Sequence, residues 1–581
     1  MSTGKKDVIT LDIIKDALHA IGEEMFLSVA RTSKSPIIYE VLDFASGLTD
    51  SRGRLLTQGN GATGFLGMLS SIVREVIRKF ADTGKLSEGD ILIINDPYSG
   101  GGSHLCDVGM AIPVFQDGEI IAYCVNKCHW TEVGGKDPGY PVDSTEVYQE
   151  GLQFPCIKLC EKGVVNEWLV ELIRANVRFP DLCVGDMWAQ ISGLRTGEKR
   201  IHELCGKYGA GLVRDSMDRL LKNSADFSRR QVEALPDGVY EVRGMMDEDG
   251  LGNGPFPIQV RVTIAGDRMK VDFTGSAKQV PGPINLPYAG LVSGVRSIFL
   301  AATDPSQEVN DGVFEPLEIV SEPGCVFSAS RPAPVSVYYE TMQFAQDLIW
   351  QALAPLLPGR LSAGHFLTVG GYVFAGVHPV TGDPFINVGP TLGGWGAADG
   401  QDGDSAQFCT GDGETFNVPA EILEACYGVR VEEYALHTDG AGAGKYRGGN
   451  GIVLAQRVAG ENNYFSGTYG RHDFAPWGLG GGGDGSTNGF EIIRKDGKRE
   501  GPFGKYPRFH LHDGDLLLVT TGTGGGYGNP LERPEEKVRE DVGNGYLTVR
   551  QAKDDYGVIL DPESLRILGV TEERRRHSPA S

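Results

Sequence analysis

Residues 90–107 run Asp90-Ile91-Leu92-Ile93-Ile94-Asn95-Asp96-Pro97-Tyr98-Ser99-Gly100-Gly101-Gly102-Ser103-His104-Leu105-Cys106-Asp107. The apolar start has the composition of a short buried strand, and Asn-Asp-Pro followed by three glycines ends it in a flexible bend. Two further strand-like runs follow, Val108 to Phe115 and Glu119 to His129. Gln116-Asp117-Gly118 joins them, and Asp-Gly is a strong hairpin signal. The bend presents His104 and Asp107 from a loop, and His129 falls at the C-terminal end of the third run.

Upstream, Leu11, Ile14, Leu18, Ile21, Met25 and Val29 recur every three or four residues, one face of a helix starting near Thr10 and Asp12. A second such face carries Phe65, Leu69, Ile72, Val73, Val76, Ile77 and Phe80. Between them, Ile37 to Phe44 reads as a strand, with Asp43 near its end. Helical spacing returns from Asn166 to Leu221 and closes an α/β unit over residues 1–225. Runs at Val239 to Val242, Ile258 to Ile264 and Arg268 to Phe273 predict an antiparallel β unit over 226–335. A helix at Ser336 to Leu356 opens a glycine-rich β unit over 336–533, and residues 534–581 read as a charged tail with an exposed helix pair. The expected class is α+β and strand-rich: a candidate metal-bearing α/β unit followed by glycine-rich antiparallel β units.

The chain has 581 residues and a formal net charge of −23. Such a charge repels phosphate backbones and anionic membrane surfaces, so nucleic-acid binding is not expected. No apolar run approaches the roughly 20 residues that span a bilayer. The N-terminal residues lead into an amphipathic helix rather than an apolar signal core, so a cytoplasmic location is expected.

Glycine numbers 82, about 14% of residues against an average near 7%. Without a Gly-X-Y period these glycines are expected to make tight turns between strands. They do not make a phosphate loop: Gly444-Lys445 is followed by Tyr446 and Gly497-Lys498 by Arg499, and neither supplies the metal-side hydroxyl. No nucleophile elbow and no His-Glu-x-x-His occurs. Cys124/Cys128 and Cys156/Cys160 are spaced as C-x3-C pairs, but residues i and i+4 of a strand lie about 13 Å apart, and buried thiols are the expectation.

His104, Asp107, His129 and Asp43 are the residues with chemistry to offer. Two imidazoles and two carboxylates suit a borderline divalent ion, zinc, manganese or iron(II), and the histidines disfavour calcium. From the pattern alone, ordinary surface and hydrogen-bonding side chains are the favoured reading over a metal site.

The ordered set Asn95-Asp96-Pro97-Tyr98 to Asp107, His129 with Val133-Gly134-Gly135, and Glu146-Val147-Tyr148-Gln149-Glu150-Gly151 resembles the hydantoinase B family. Asp272-Phe273-Thr274-Gly275-Ser276, Gly393-Gly394-Trp395-Gly396, Gly444 to Gly449, Pro476-Trp477-Gly478-Leu479 and Gly524 to Pro530 agree in order. The resemblance implies a B (β) subunit of ATP-dependent N-methylhydantoinase, 5-oxoprolinase or caprolactamase type, related to acetone and acetophenone carboxylase subunits. It implies an actin-like A subunit that binds ATP and Mg and phosphorylates the amide oxygen, an A2B2 assembly, and a small cyclic amide substrate. It places a divalent metal on Asp43, His104, Asp107 and His129. Here one extra residue precedes the histidine, Ser103 replaces a frequent Thr, Phe65 stands where many relatives have His, and Glu132 where Asp is frequent. Asp96 and Glu132 are candidate bases, each read in the first place as a turn cap or support, and no catalytic residue is assigned. A ketone carboxylase subunit and a structural subunit with a metal staple are the alternatives.

Overall fold

The computed structural model describes residues 8–577, so the reading of Met1–Asp7 lies outside the described residues. Helix accounts for 31% and strand for 26%, a mixed α+β fold with several antiparallel sheets, in which strand does not predominate. Contacts group the chain into two units. The first takes in the chain to Glu241, Gln259–Ala345 and Gly411–Val418; the second takes in Val242–Ile258, Gln346–Thr410 and the chain from Pro419. The linear cuts at 225, 335 and 533 do not coincide with these units.

In the first unit, α1 (Val8–Thr32) buries Leu11, Ile14, Leu18, Ile21, Met25 and Val29, the face its periodicity specified. The run Ile37 to Phe44 is not a strand. Pro36 opens a single helical turn, α2 (Pro36–Tyr39), Leu42 takes a positive φ, and β1 (Phe44–Asp50) starts only where that reading ended. Pro at N1 removes no helical hydrogen bond, so the β-branched Ile37 and Ile38 are overruled by their neighbour. β2 (Leu55–Gly61) leads to α3 (Met68–Val76), after which come β3 (Ile91–Ile94), β4 (Asp107–Gln116), β5 (Glu119–His129), β6 (Ile157–Glu161) and β7 (Val164–Val165). They form one sheet, ordered β2-β1-β5-β4-β3-β6-β7, with antiparallel neighbours throughout. Asp117 and Gly118 both have positive φ, as the predicted hairpin requires.

Strand alternation sorts β5 between two faces. Asn126 donates to the Gln190 carbonyl of α5 (Pro180–Tyr208), and Cys124 lies beside Gly197 of the same helix. Lys127 and His129 therefore project to the opposite face, where Phe65 and α3 cover the sheet. α4 (Glu167–Asn176) and α6 (Ala210–Glu233) complete the helical cover. β8 (Gly238–Met246), β9 (Phe256–Ala265), β10 (Arg268–Asp272) and β11 (Leu317–Val320) form a second sheet, not wholly antiparallel as expected, because β11 runs parallel to β10. Helices α7 (Tyr288–Ala302) and α8 (Tyr338–Leu353) follow from these.

The second unit uses some of its glycines for more than the expected turns. Segments near residues 363, 394–403, 442–450, 477–485 and 522–528 lie side by side outside any regular strand and bond backbone to backbone. Gly449 N donates to Trp395 O, Gly524 N to Gly449 O, Gly525 N to Gly364 O and Gly526 N to Gly483 O, at 2.8–2.9 Å. A Cβ on Gly524 would stand 1.9 Å from Trp395 O, and one on Gly448 1.9 Å from Gly524 O. Close approach of neighbouring backbones, rather than turning, requires glycine at these positions. The C-terminal residues are likewise more than a charged tail. Helices at Glu535–Gly543 and Val549–Asp554 and a hairpin of Val558–Leu560 with Ile567–Val570 enclose a core of Val538, Leu547, Tyr556 and Val558.

Among the described residues no helix is long and apolar enough to cross a membrane. The ten cysteines are all free thiols, nine of them buried.

Candidate metal centre

The two strands that the hairpin joins bring Asp107, the first residue of β4, directly opposite His129, the last of β5. Asn95 anchors the loop between β3 and β4, donating to the carbonyls of Leu105 and Leu152 and accepting from Phe154 N. Gly101 lets the loop lie against α3, since a Cβ there would meet Ile72 at 2.5 Å. His104, Asp107 and His129 are 2%, 1% and 5% exposed, and one ligand atom from each falls within 4.8 Å of the others.

The hydrogen bonds fix which atoms are free. His104 Nδ1 lies 2.8 Å from the Ser336 carbonyl, which only accepts, so Nδ1 carries the proton and Nε2 keeps a lone pair. That lone pair faces Asp107 Oδ1 at 3.2 Å. Asp107 Oδ2 is already filled, accepting from Ser103 Oγ at 2.5 Å and Tyr338 OH at 3.0 Å. Lys127 Nζ, wholly buried, donates to Ser103 Oγ at 2.6 Å and Gly101 O at 2.7 Å. His129 Nδ1 is buried with no hydrogen-bond partner among the described residues. Lone pairs converging without a proton between them are costly when buried, and a cation would satisfy all three. Two imidazoles and a carboxylate fit zinc, manganese or iron(II).

The electrostatics agree. Burial would raise the Asp107 carboxyl, but positive charge beside it, on His104 when its Nε2 is protonated and on Lys127, outweighs burial and holds the group below the usual carboxylate range, so without a metal a proton competes for the His104 lone pair. Burial and the adjacent His104 push His129 down to about 4, and burial brings Lys127 down to about 8 against the pull of Asp107 and Asp43. Tyr140, Tyr338 and Tyr339 surround His104, with ring centroids 5.6, 5.1 and 6.2 Å away. Behind Ser336, the buried Glu150 accepts from Ser144 Oγ, Val335 N and Ser336 N through one oxygen, 2.7–3.0 Å away.

Asp43 lies beside this group rather than within it. It precedes β1, its carbonyl accepts from His129 N at 3.1 Å, and burial with repulsion from Asp107 and Asp412 raises its carboxyl. Asp96 caps Tyr98 N and pairs with Arg331, while Glu132 is sealed against Arg178. Phe65 is the ring over which Lys127 Nζ sits, 5.5 Å from its centroid. The sequence reading missed Lys127, Tyr338 and Asp412. A lysine two residues before His129, in a strand that is apolar from Ile120 to Val125, was a usable signal. Tyr338 and Asp412 come from distant segments with no local pattern. Burial and Asp107 raise the Asp412 carboxyl to about 7.

The arrangement defines an α+β protein with a buried His2Asp group able to hold one metal ion. Residues 7–530 match the family model described as hydantoinase B/oxoprolinase, and the chain belongs to that family. It is 33% identical to the B-type subunit of the putative D-/L-hydantoinase of Pseudomonas sp. strain NS671 over 98% of each chain. It is 31% identical to the β subunit of the caprolactamase of Pseudomonas jessenii over 96% of each. The crystal structure of the ATP-dependent caprolactamase from that organism superimposes with a TM-score of 0.90, at 29% identity, over 99% of each chain. Acetone carboxylase shares the fold, with a TM-score of 0.90 at 20% identity, over 99% of this chain and 82% of that one.

Proposed function

We propose that this chain is the B-type subunit of an ATP-dependent cyclic amide hydrolase, opening a lactam, hydantoin or 5-oxoproline ring together with an actin-fold, ATP-binding A-type subunit in an A2B2 assembly. The observation that carries this reading is the buried His104/Asp107/His129 group in a chain of the hydantoinase B/oxoprolinase family. The net reaction consumes the cyclic amide, ATP and two waters and yields the ring-opened product, ADP and phosphate.

Amides resist attack because nitrogen donates into the carbonyl, and phosphorylation of the oxygen by the partner removes that donation. A divalent ion held by His104, Asp107 and His129, with Asp43 as the further donor that the family resemblance implies, would supply Lewis-acid charge at the carbon under attack. Ser103 and Tyr338 occupy Asp107 Oδ2 and so turn Oδ1 toward the site. Ser336 holds the His104 tautomer through Nδ1.

Co-expression with an A-type subunit, followed by assay of ATP-dependent ring opening on caprolactam, hydantoin and 5-oxoproline, tests the reading. Turnover of at least one, coupled to ADP release, supports it. Bicarbonate-dependent carboxylation of a ketone, with no ring opening, overturns it.

A further inference from the structure

A cavity of about 380 Å³ in the first unit has the Gly100-Gly101 bend of the loop that carries His104 in its wall. Among the described residues, the charged side chains on its wall are two arginines, Arg74 of α3 and Arg296 of α7. Asp311, set behind them, binds both: Arg74 Nη2 lies 2.6 Å from Oδ2 and Arg296 Nη1 2.9 Å from Oδ1. One carboxylate thus serves two guanidinium groups, and one positive charge is left over in a chain whose formal net charge is −23. Arg296 is 9% exposed and stacks 4.4 Å from the Phe314 ring centroid, so water screens that charge poorly. The rest of the wall includes Val292, Leu317 and Ile319.

We infer that this cavity binds a small monocarboxylate, its carboxylate on Arg74 and Arg296 and its apolar body against Phe314, Val292 and Leu317. A single surplus charge matches a monoanion rather than a phosphate dianion, and a planar carboxylate accepts from a guanidinium fork in two parallel bonds. The volume is within the range of small-molecule sites. The cavity has a consequence for the metal centre, because Gly101, part of its wall, accepts a hydrogen bond from Lys127. The inference is independent of the amide hydrolase reading, since it requires neither ATP nor a partner subunit.

Calorimetric titration of the full chain with benzoate, hexanoate and inorganic phosphate tests it. Saturable binding of one equivalent of a carboxylate is expected, at least tenfold tighter than phosphate. Arg74→Gln, which removes the half-exposed guanidinium, is expected to weaken it tenfold or more. Ala329→Trp, which fills the cavity without touching Asp311, is expected to abolish it. Circular dichroism and metal content report whether each variant is folded. The inference is overturned by absence of saturable carboxylate binding, by phosphate binding as tightly as carboxylate, or by carboxylate binding unchanged in a folded Ala329→Trp variant.

Discussion

His104 and Ser336 are joined by a hydrogen bond of 2.8 Å from imidazole Nδ1 to a backbone carbonyl. This contact, made by a residue 232 positions away, leaves Nε2 as the only lone pair His104 can offer and aims it at Asp107. From it the first expectation follows directly. Elemental analysis of the purified chain should find about one zinc, manganese or iron per chain. His104→Ala and His129→Ala should each lose it while remaining folded. A wild-type chain without stoichiometric metal would count against the site, and loss of assembly without loss of fold would favour the structural alternative.

Lys127 is a fully buried cation whose neighbours are Ser103, Asp107 and Asp43. Lys127→Met should destabilise the metal-free protein by about 3–5 kcal/mol, because it leaves buried carboxylates without a counter-charge. The loss should be smaller in the metal-loaded protein, where the ion itself supplies positive charge. Urea unfolding with and without chelator measures the difference, and equal losses in the two states would contradict the charge argument.

Glu150 predicts a pH dependence. Burial raises its carboxyl to about 7, from an ordinary value of 4.5, against the hydrogen bonds of Ser144, Val335 and Ser336. Between those values the folded state holds a proton that the unfolded state has released. Its contribution to stability is therefore complete below 4.5 and lost as pH rises through about 7, on the order of 3 kcal/mol in all. Glu150→Gln should flatten the stability profile across that window. A variant with the wild-type slope would exclude Glu150 as its source.

His365, in the second unit, should act with the opposite sign. It is 6% exposed, burial and Arg471 lower it to about 3, and its Nε2 has no hydrogen-bond partner among the described residues. Below 6.5 the unfolded state takes up a proton that the folded imidazole refuses, so stability should fall as pH drops from 6.5 toward 3. His365→Phe should reduce that acid sensitivity, readable as a shallower fall in melting temperature. An unchanged acid limb would mean that other groups set it.

Gly524→Ala and Gly206→Ala make a contrasting pair. A Cβ at Gly524 would meet Trp395 O at 1.9 Å, whereas at Gly206, within α5, nothing lies within 4 Å. The first should cost more than about 4 kcal/mol or prevent folding. The second should stabilise by about 0.5–1 kcal/mol through helix propensity. Thermal melts of both variants check this, and tolerance of alanine at 524 would disprove the close-packing account.

The elements that survive from the sequence are those governed by one-dimensional periodicity. The buried face of α1 and the β4–β5 hairpin follow from spacings of 3.6 and 2 and an Asp-Gly turn, and that hairpin places Asp107 opposite His129. Asp43 was noticed, but its strand was misplaced. The apolar content of Ile37 to Val41 outweighed Pro36, and the positive φ at Leu42 leaves no trace in composition. Turning explains many of the glycines, among them Gly118, Gly266, Gly382 and Gly497 at positive φ, but not those of the second unit that admit a neighbouring backbone. A glycine that turns and a glycine that admits a neighbouring backbone are the same letter, and only the partner 50 or 100 residues away tells them apart. For the same reason Tyr338 and Asp412 entered the site unannounced.

That arrangement of glycines also has a timetable. Gly364 bonds to Gly525, so two contacting segments leave the ribosome 161 residues apart. At about 5–20 residues per second, on the order of ten seconds or more of synthesis separate them. Until the second emerges, the glycine segments, with few side chains to bury and no partner backbone to bond, have nothing to hold them in register. The second unit is thus committed to form late, after the sheet carrying His104, Asp107 and His129 has long been complete in the chain.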